Sequence, residues 1–326
     1  MTGKANWPAG SRPGSSRVRH GWPSVAALCT LAAAAAPAFS QQSQAAPGED
    51  TKADLKTITV EAERNREEMQ RQVKTFVSAI AAAPLQESLA RWRTPVCPLV
   101  AGLARDHGEF ILQRVTQIAL AAGAPVAPEH CRGNFYVVVT ADPDGLLKAW
   151  RKRNPDIFGD EAGPKVRRFL HASSPIRVWY NANMDAADGT ALTADSPAMS
   201  ASGLSTGSTG AFAGVPNNTH ASGFRLARDE VRDLSSVIVM IDSRLAKGVN
   251  FGQLADYVAM AGLAEVRLDG DLGEAPSIFR LFSAPAKAPS LSAWDQAFLK
   301  AVYHTDPADK MQLAEIKTSV VREVVP

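Results

Sequence analysis

The stretch Gln253-Leu254-Ala255-Asp256-Tyr257-Val258-Ala259-Met260-Ala261-Gly262-Leu263-Ala264-Glu265 reads as a helix that stops at a glycine. A strong strand stands before it. Ser235-Ser236-Val237-Ile238-Val239-Met240-Ile241-Asp242 is a near-continuous apolar run of the kind that fills the interior of a sheet. Residues 245–250 make the turn between the two. Phe135-Tyr136-Val137-Val138-Val139-Thr140 is a second buried strand by the same reasoning. Asp142 and Pro143 follow as N-cap and first helical residue of a helix over 143–153, whose basic end suits a helix C-terminus. A helix over about 109–122 precedes that strand, with Ile111, Val115, Ile118, Ala119 and Ala122 on its buried face. The alternating run Ile176-Arg177-Val178-Trp179-Tyr180 reads as a more exposed strand. The fold class is therefore α/β (α+β), a mixed twisted sheet with helices.

The flanks set the domain plan. Lys4, Arg12, Arg17 and Arg19 precede an apolar run over 25–36, and Ala38-Phe39-Ser40 offers small residues for cleavage. Residues 1–40 thus have the layout of a secretory signal peptide, with an apolar run short of the roughly 20 residues that span a bilayer. Residues 41–62 read as a disordered linker holding one β-prone run at 57–62. Residues 63–92 form an N-terminal helical segment, with Met69, Val73, Phe76, Val77 and Ile80 at helical spacing. Residues 93–326 form a single α/β domain, interrupted at 183–222 by a flexible insertion of Ala, Ser, Thr, Gly, Asn and Pro. A last helix is capped by Ser292 with Asp295 at its third position, and residues 308–323 add another.

Composition narrows the function. Hydrophobic residues make up 45% and charged residues 21% of 326, an ordinary globular balance. Four of the 35 basic residues and none of the 33 acidic ones lie in 1–40, so the remainder carries 31 against 33. That balance, without a basic stripe interleaved with aromatics, disfavours nucleic-acid binding. Two cysteines remain after residue 40, Cys97 and Cys131, and an even count in an exported chain points to a disulfide. Closing this loop is worth roughly 3–4 kcal/mol in the chain-entropy model.

Metzincin proteases carry H-E-x-x-H-x-x-G-x-x-H on a helix that follows the sheet. With the glycine of that frame on Gly262, the three metal ligands fall on Ala255, Ala259 and Glu265, and the catalytic glutamate falls on Asp256. The frame continues downstream. Pro276-Ser277-Ile278-Phe279 stands where a methionine-bearing turn belongs, with Phe279 at the methionine. Leu291-Ser292-Ala293-Trp294-Asp295-Gln296-Ala297-Phe298-Leu299-Lys300-Ala301-Val302-Tyr303 then matches the closing helix. The chain resembles a metzincin in outline over 135–303 and specifically over 253–303. As a whole it also resembles a group of uncharacterised exported proteobacterial proteins, through runs such as Gln253-Leu254-Ala255-Asp256-Tyr257-Val258-Ala259-Met260. That second resemblance implies no activity.

The departures from the frame decide the functional expectation. Ala255 and Ala259 cannot coordinate a metal, and no two of His107, His130, His171, His220 and His304 stand four residues apart. The expectation is a periplasmic or secreted protein with no catalytic residue, no metal and no cofactor. It leans away from enzyme and toward an envelope factor that binds a peptide or protein. Its candidate cleft is Val178, Asp256, Glu265, Phe279 and Tyr303, with a peptide added to the exposed strand. The alternative is a hydrolase using the carboxylates of Asp256 and Glu265. Without a metal, both carboxylates read as solvent-facing.

Overall fold

A computed structural model describes residues 50–83, 87–158, 163–188 and 227–326. The leader at 1–40 and the insertion from residue 189 onward lie outside them. Along the chain run α1 (Asp50–Ile80), β1 (Pro98–Ala101), α2 (Arg105–Ala122), β2 (Phe135–Thr140), α3 (Pro143–Arg153), α4 (Pro164–Leu170), β3 (Ile176–Ala186), β4 (Glu230–Asp242), α5 (Phe251–Gly262), α6 (Ala293–His304) and α7 (Gln312–Val324). The four strands form one mixed sheet in the order β1-β2-β4-β3. β1, β2 and β4 are parallel, and β3 lies antiparallel on the edge beside β4.

The period-2 alternation of strand side chains divides the core in two. Phe135, Val137, Val237, Val239, Ile241 and Ile176 face one side, where α2, α5, α6 and the end of α1 supply the main core. Val138, Ile238, Met240 and Trp179 face the other, against Leu147 of α3 and Val166, Phe169 and Leu170 of α4. A three-layer arrangement results. Val137, Val138 and the run from Val237 to Asp242 are buried, so the centre of the sheet is covered on both faces, which is why both strands read as near-continuous apolar runs. Cys97 and Cys131 form the expected disulfide, with Cα atoms 6.0 Å apart. It ties the residue before β1 to the loop leading into β2, so it fixes the start of two neighbouring parallel strands.

Three expectations change. First, the linker does not run to residue 62, because α1 already begins at Asp50 and absorbs the β-prone run at 57–62. A few β-branched residues cost only tenths of a kcal/mol each in a helix whose neighbours are Glu, Ala, Lys and Arg. Second, residues 63–92 are not a separate segment. Val73, Phe76, Val77 and Ile80 belong to the main core, as do Leu89 and Trp92 beyond the helix, and residues from Ala53 to Pro326 form one compact unit. Third, β3 reaches Ala186 and β4 starts at Glu230, so the insertion begins later than residue 183. The added residues of β3 lack an apolar alternation, and pairing with β4 holds them, with a bulge at Asn181 and Ala182.

This two-stranded extension carries a titratable pair. Asp185 and Asp233 are diagonal neighbours across β3 and β4. Asp233 is buried, it meets Arg93 at 3.1 Å, and its Oδ1 has no hydrogen-bond partner. Burial pushes its carboxyl up to about 6 against the pull of Arg93, and Asp185 adds repulsion. The folded state therefore holds this proton where the unfolded state, with a carboxyl near 4, has lost it. The contribution is largest below about pH 4 and falls as pH rises through 6, by about 1–3 kcal/mol. Urea midpoints measured across this window should decline for wild type and stay flatter for Asp233→Asn. Equal slopes for the two proteins would refute the assignment.

Candidate functional site

Asp256 of the suspected cleft lies on α5, Phe279 meets Tyr257 of that helix, and Tyr303 reaches the residue after it. The Asn250 side chain caps the helix by accepting the Gly252 N–H at 2.7 Å. From Leu254 to Gly262 every residue is buried. Such a helix is interior on all sides. Its end is not a left-handed glycine turn. Gly262 does not have a positive φ, and the next residue, Leu263, remains in the right-handed helical region. What makes residue 262 a glycine is contact: a Cβ there would lie 2.0 Å from Cζ of Phe135 on β2.

The last carbonyls of a helix lack intrahelical donors. Here three side chains from three different parts of the chain supply them. Tyr180 of β3 donates its hydroxyl to the Ala261 carbonyl at 2.6 Å, and the Trp92 indole donates to Gly262 at 2.8 Å. Tyr303 of α6 donates to Leu263. Trp92 also stacks on Phe135, the ring against which Gly262 rests. Burial raises the pKa of both phenols, so both remain protonated donors at neutral pH. Tyr180→Phe and Tyr303→Phe should each cost about 1–3 kcal/mol, because each leaves a buried carbonyl unpaired. Denaturant unfolding of each variant measures this, and an unchanged midpoint would mean that water reaches the helix end.

The positions that the metzincin frame assigns to metal ligands are closed. Ala255 and Ala259 have no exposed surface. Glu265 is buried and ion-paired with Arg232 of β4, which also meets Glu87 at 3.2 Å. Asp256 is buried too. Its Oδ1 accepts from Nε of Arg114 on α2 at 2.6 Å, and its Oδ2 accepts from the Leu291 N–H at 2.7 Å. Both acids were expected at the surface, and both instead anchor tertiary structure. Among the described residues no group of three His, Cys, Asp or Glu side chains is placed to hold a metal ion.

Downstream, Asp295 does more than close a capping box. It accepts from the Ser277 hydroxyl at 2.7 Å, the Ile278 N–H at 2.8 Å and the Ser292 N–H at 3.0 Å. The start of α6 is thereby stitched to the turn at 276–279. Phe279, on that turn, meets Tyr257 of α5 edge-on at 5.2 Å. A cavity of about 490 Å³ opens beside them, bordered by Tyr257, Phe279, Arg280, Phe282 and the loop 268–273. None of Val178, Asp256, Glu265 or Tyr303 lines it. Val178 packs against the main core from β3. Of the five candidate residues only Phe279 borders that cavity.

Sequence reading missed the partners: Arg114, Arg232, Trp92 and Tyr180. A cue existed for the arginines. An acid within a largely apolar helix, or directly after it, requires a cationic partner if that part of the chain is interior. No family model, curated protein or solved structure matches the chain.

Proposed function

We propose that the protein is an exported, non-catalytic binding factor on a zinc-less metzincin-like frame, taking an extended peptide along the outer edge of β3. The observation that carries this reading is the placement of β3. Among the described residues it is an edge strand, 11 residues long and antiparallel to the strand that leads into α5. An edge strand presents unpaired N–H and C=O groups that a second strand can satisfy. The alanines at two ligand positions of the frame support a binding role over a peptidase role. So do the arginines that occupy the Asp256 and Glu265 carboxylates. The alternative, a hydrolase built on those two acids, has no support from their surroundings, because their partner sets share no residue. Export is supported by the leader at 1–40 and by a disulfide of the kind that persists in oxidising compartments. Among the described residues no helix is long and apolar enough to cross a membrane.

Two measurements on the purified mature protein test the reading together. Elemental analysis should find no stoichiometric zinc. Peptides selected from a random library should slow amide hydrogen exchange within β3. A tightly bound zinc, or a peptide footprint that leaves β3 untouched, overturns the proposal.

A further inference from the structure

The sheet face opposite α5 carries a cavity of about 700 Å³. Its floor is Tyr136 of β2 and Ile238 of β4, which are register partners. Beside them stand Asn181 and Ser236, partners across β3 and β4. Trp150, from the last turn of α3, forms a wall and meets Tyr136 edge-on at 6.5 Å. Arg132, directly after the disulfide cysteine, and Arg153, the last residue of α3, complete the lining.

Two features turn this hollow into a specific site. The first is charge. Among the described residues no carboxylate lines it. Among the described residues neither Arg132 nor Arg153 has a hydrogen-bond or ion-pair partner. Both side chains are exposed, and Arg151 and Lys152 precede Arg153 in the same turn. A cleft with one sign of charge on low-dielectric walls concentrates ions of the other sign. The second is a fixed polar corner. Asn181 is locked through both ends of its amide. Its Oδ1 accepts from the Trp179 indole at 2.8 Å, and its Nδ2 donates to the Ile157 carbonyl at 2.9 Å and to Ser236 Oγ at 2.7 Å. Ser236 accepts that bond, so its own hydroxyl proton is left to donate.

We propose that this cavity binds small aryl carboxylates. The flat ring lies against Tyr136, Trp150 and Ile238, where it exchanges water for aromatic and aliphatic surface. The carboxylate faces the two guanidinium groups, whose planar donor forks match its two oxygens. Ser236 offers a donor to a ring substituent. A single charge suits an apolar floor better than a doubly charged phosphate, which costs more to desolvate. This site does not rest on the peptide-binding reading, which concerns the outer edge of β3.

Calorimetric titration of the full chain with 2-naphthoate tests it, with neutral 2-naphthamide and 2-naphthyl phosphate as comparison ligands. The expected result is saturable binding near about 0.1 mM, a value ordinary for a ligand of this size. The Arg132→Gln/Arg153→Gln double variant should weaken it at least about tenfold, and Trp150→Leu should weaken it also. Among the described residues neither arginine has a partner to lose, so the double variant should unfold at the wild-type midpoint. Lys148→Gln, exposed on α3 but outside the lining, should bind as wild type does. Absence of saturation at about 5 mM overturns the proposal. So does equal binding of the amide, indifference to the arginine changes, or tighter binding of the phosphate.

Discussion

Gly262→Ala should unfold at a markedly lower temperature than wild type. A methyl group at residue 262 would sit 2.0 Å from Cζ, 2.4 Å from Cε2 and 2.8 Å from Cε1 of Phe135. Something has to move, and little there can. The Phe135 side chain is fully buried, with the Trp92 ring stacked on it and the Trp92 indole bonded back to Gly262 itself. Overpacking a closed core by one methyl group costs about 1–3 kcal/mol, and this contact lies at or beyond the upper end. A loss of about 3 kcal/mol corresponds to a fall of roughly 6–12 °C in Tm. Shrinking the ring supplies the control. Phe135→Leu alone should cost about 1–3 kcal/mol through lost burial. Combined with Gly262→Ala, it should restore at least about 1 kcal/mol relative to the sum of the single changes. Strict additivity would mean that Gly262 matters for its backbone and not for its contact with Phe135, and the packing account would fail.

That glycine also shows where sequence reading stops. A helix ending at residue 262 was legible from apolar content and one glycine, and so were β2, β4, α3, α6 and the disulfide. These are local patterns. Asp142 with Pro143 marks the start of α3, and Ser292 with Asp295 marks that of α6, through hydrogen bonds spanning three residues. The role of Gly262 was not legible, because its reason is a ring 127 positions earlier in the chain. The same holds for Tyr180, Trp92 and Tyr303. Each reads as an ordinary core aromatic, yet each donates to one of three consecutive carbonyls at the end of α5. β1 went unread because four residues with two exposed side chains carry no period. The longer β3 went unread because its polar half owes its conformation to β4. Sequence position alone nominates Val178, Asp256, Glu265, Phe279 and Tyr303 as one cleft. Their inward or outward sense depends on which neighbours pack against α5, and that is tertiary information.

Asp256, the acid of α5, is held by two donors from other parts of the chain. A catalytic carboxylate needs a free oxygen within reach of a proton or a water. Both oxygens of Asp256 already hold a donor. Arg114 occupies Oδ1, and the Leu291 N–H occupies Oδ2. The carboxylate therefore joins three parts of the chain: α5, α2 and the segment leading into α6. Asp256→Ala should be strongly destabilising, since it strips a partner from Arg114 and leaves a buried N–H unpaired. Breaking a buried ion pair from one side costs about 3–5 kcal/mol. The Arg114 side chain is 31% exposed, so water softens its share and about 2–4 kcal/mol is the expected loss. Asp256→Asn should fall between Ala and wild type. One amide can accept from either Arg114 or Leu291, but its NH2 then faces the other donor. In a double-mutant cycle with Arg114→Met, the coupling should reach about 1–3 kcal/mol. Urea denaturation measures all four corners. If Asp256→Asn matched wild-type stability and the cycle showed no coupling, the carboxylate would not be the brace described here. A role for Asp256 in chemistry would then regain its standing.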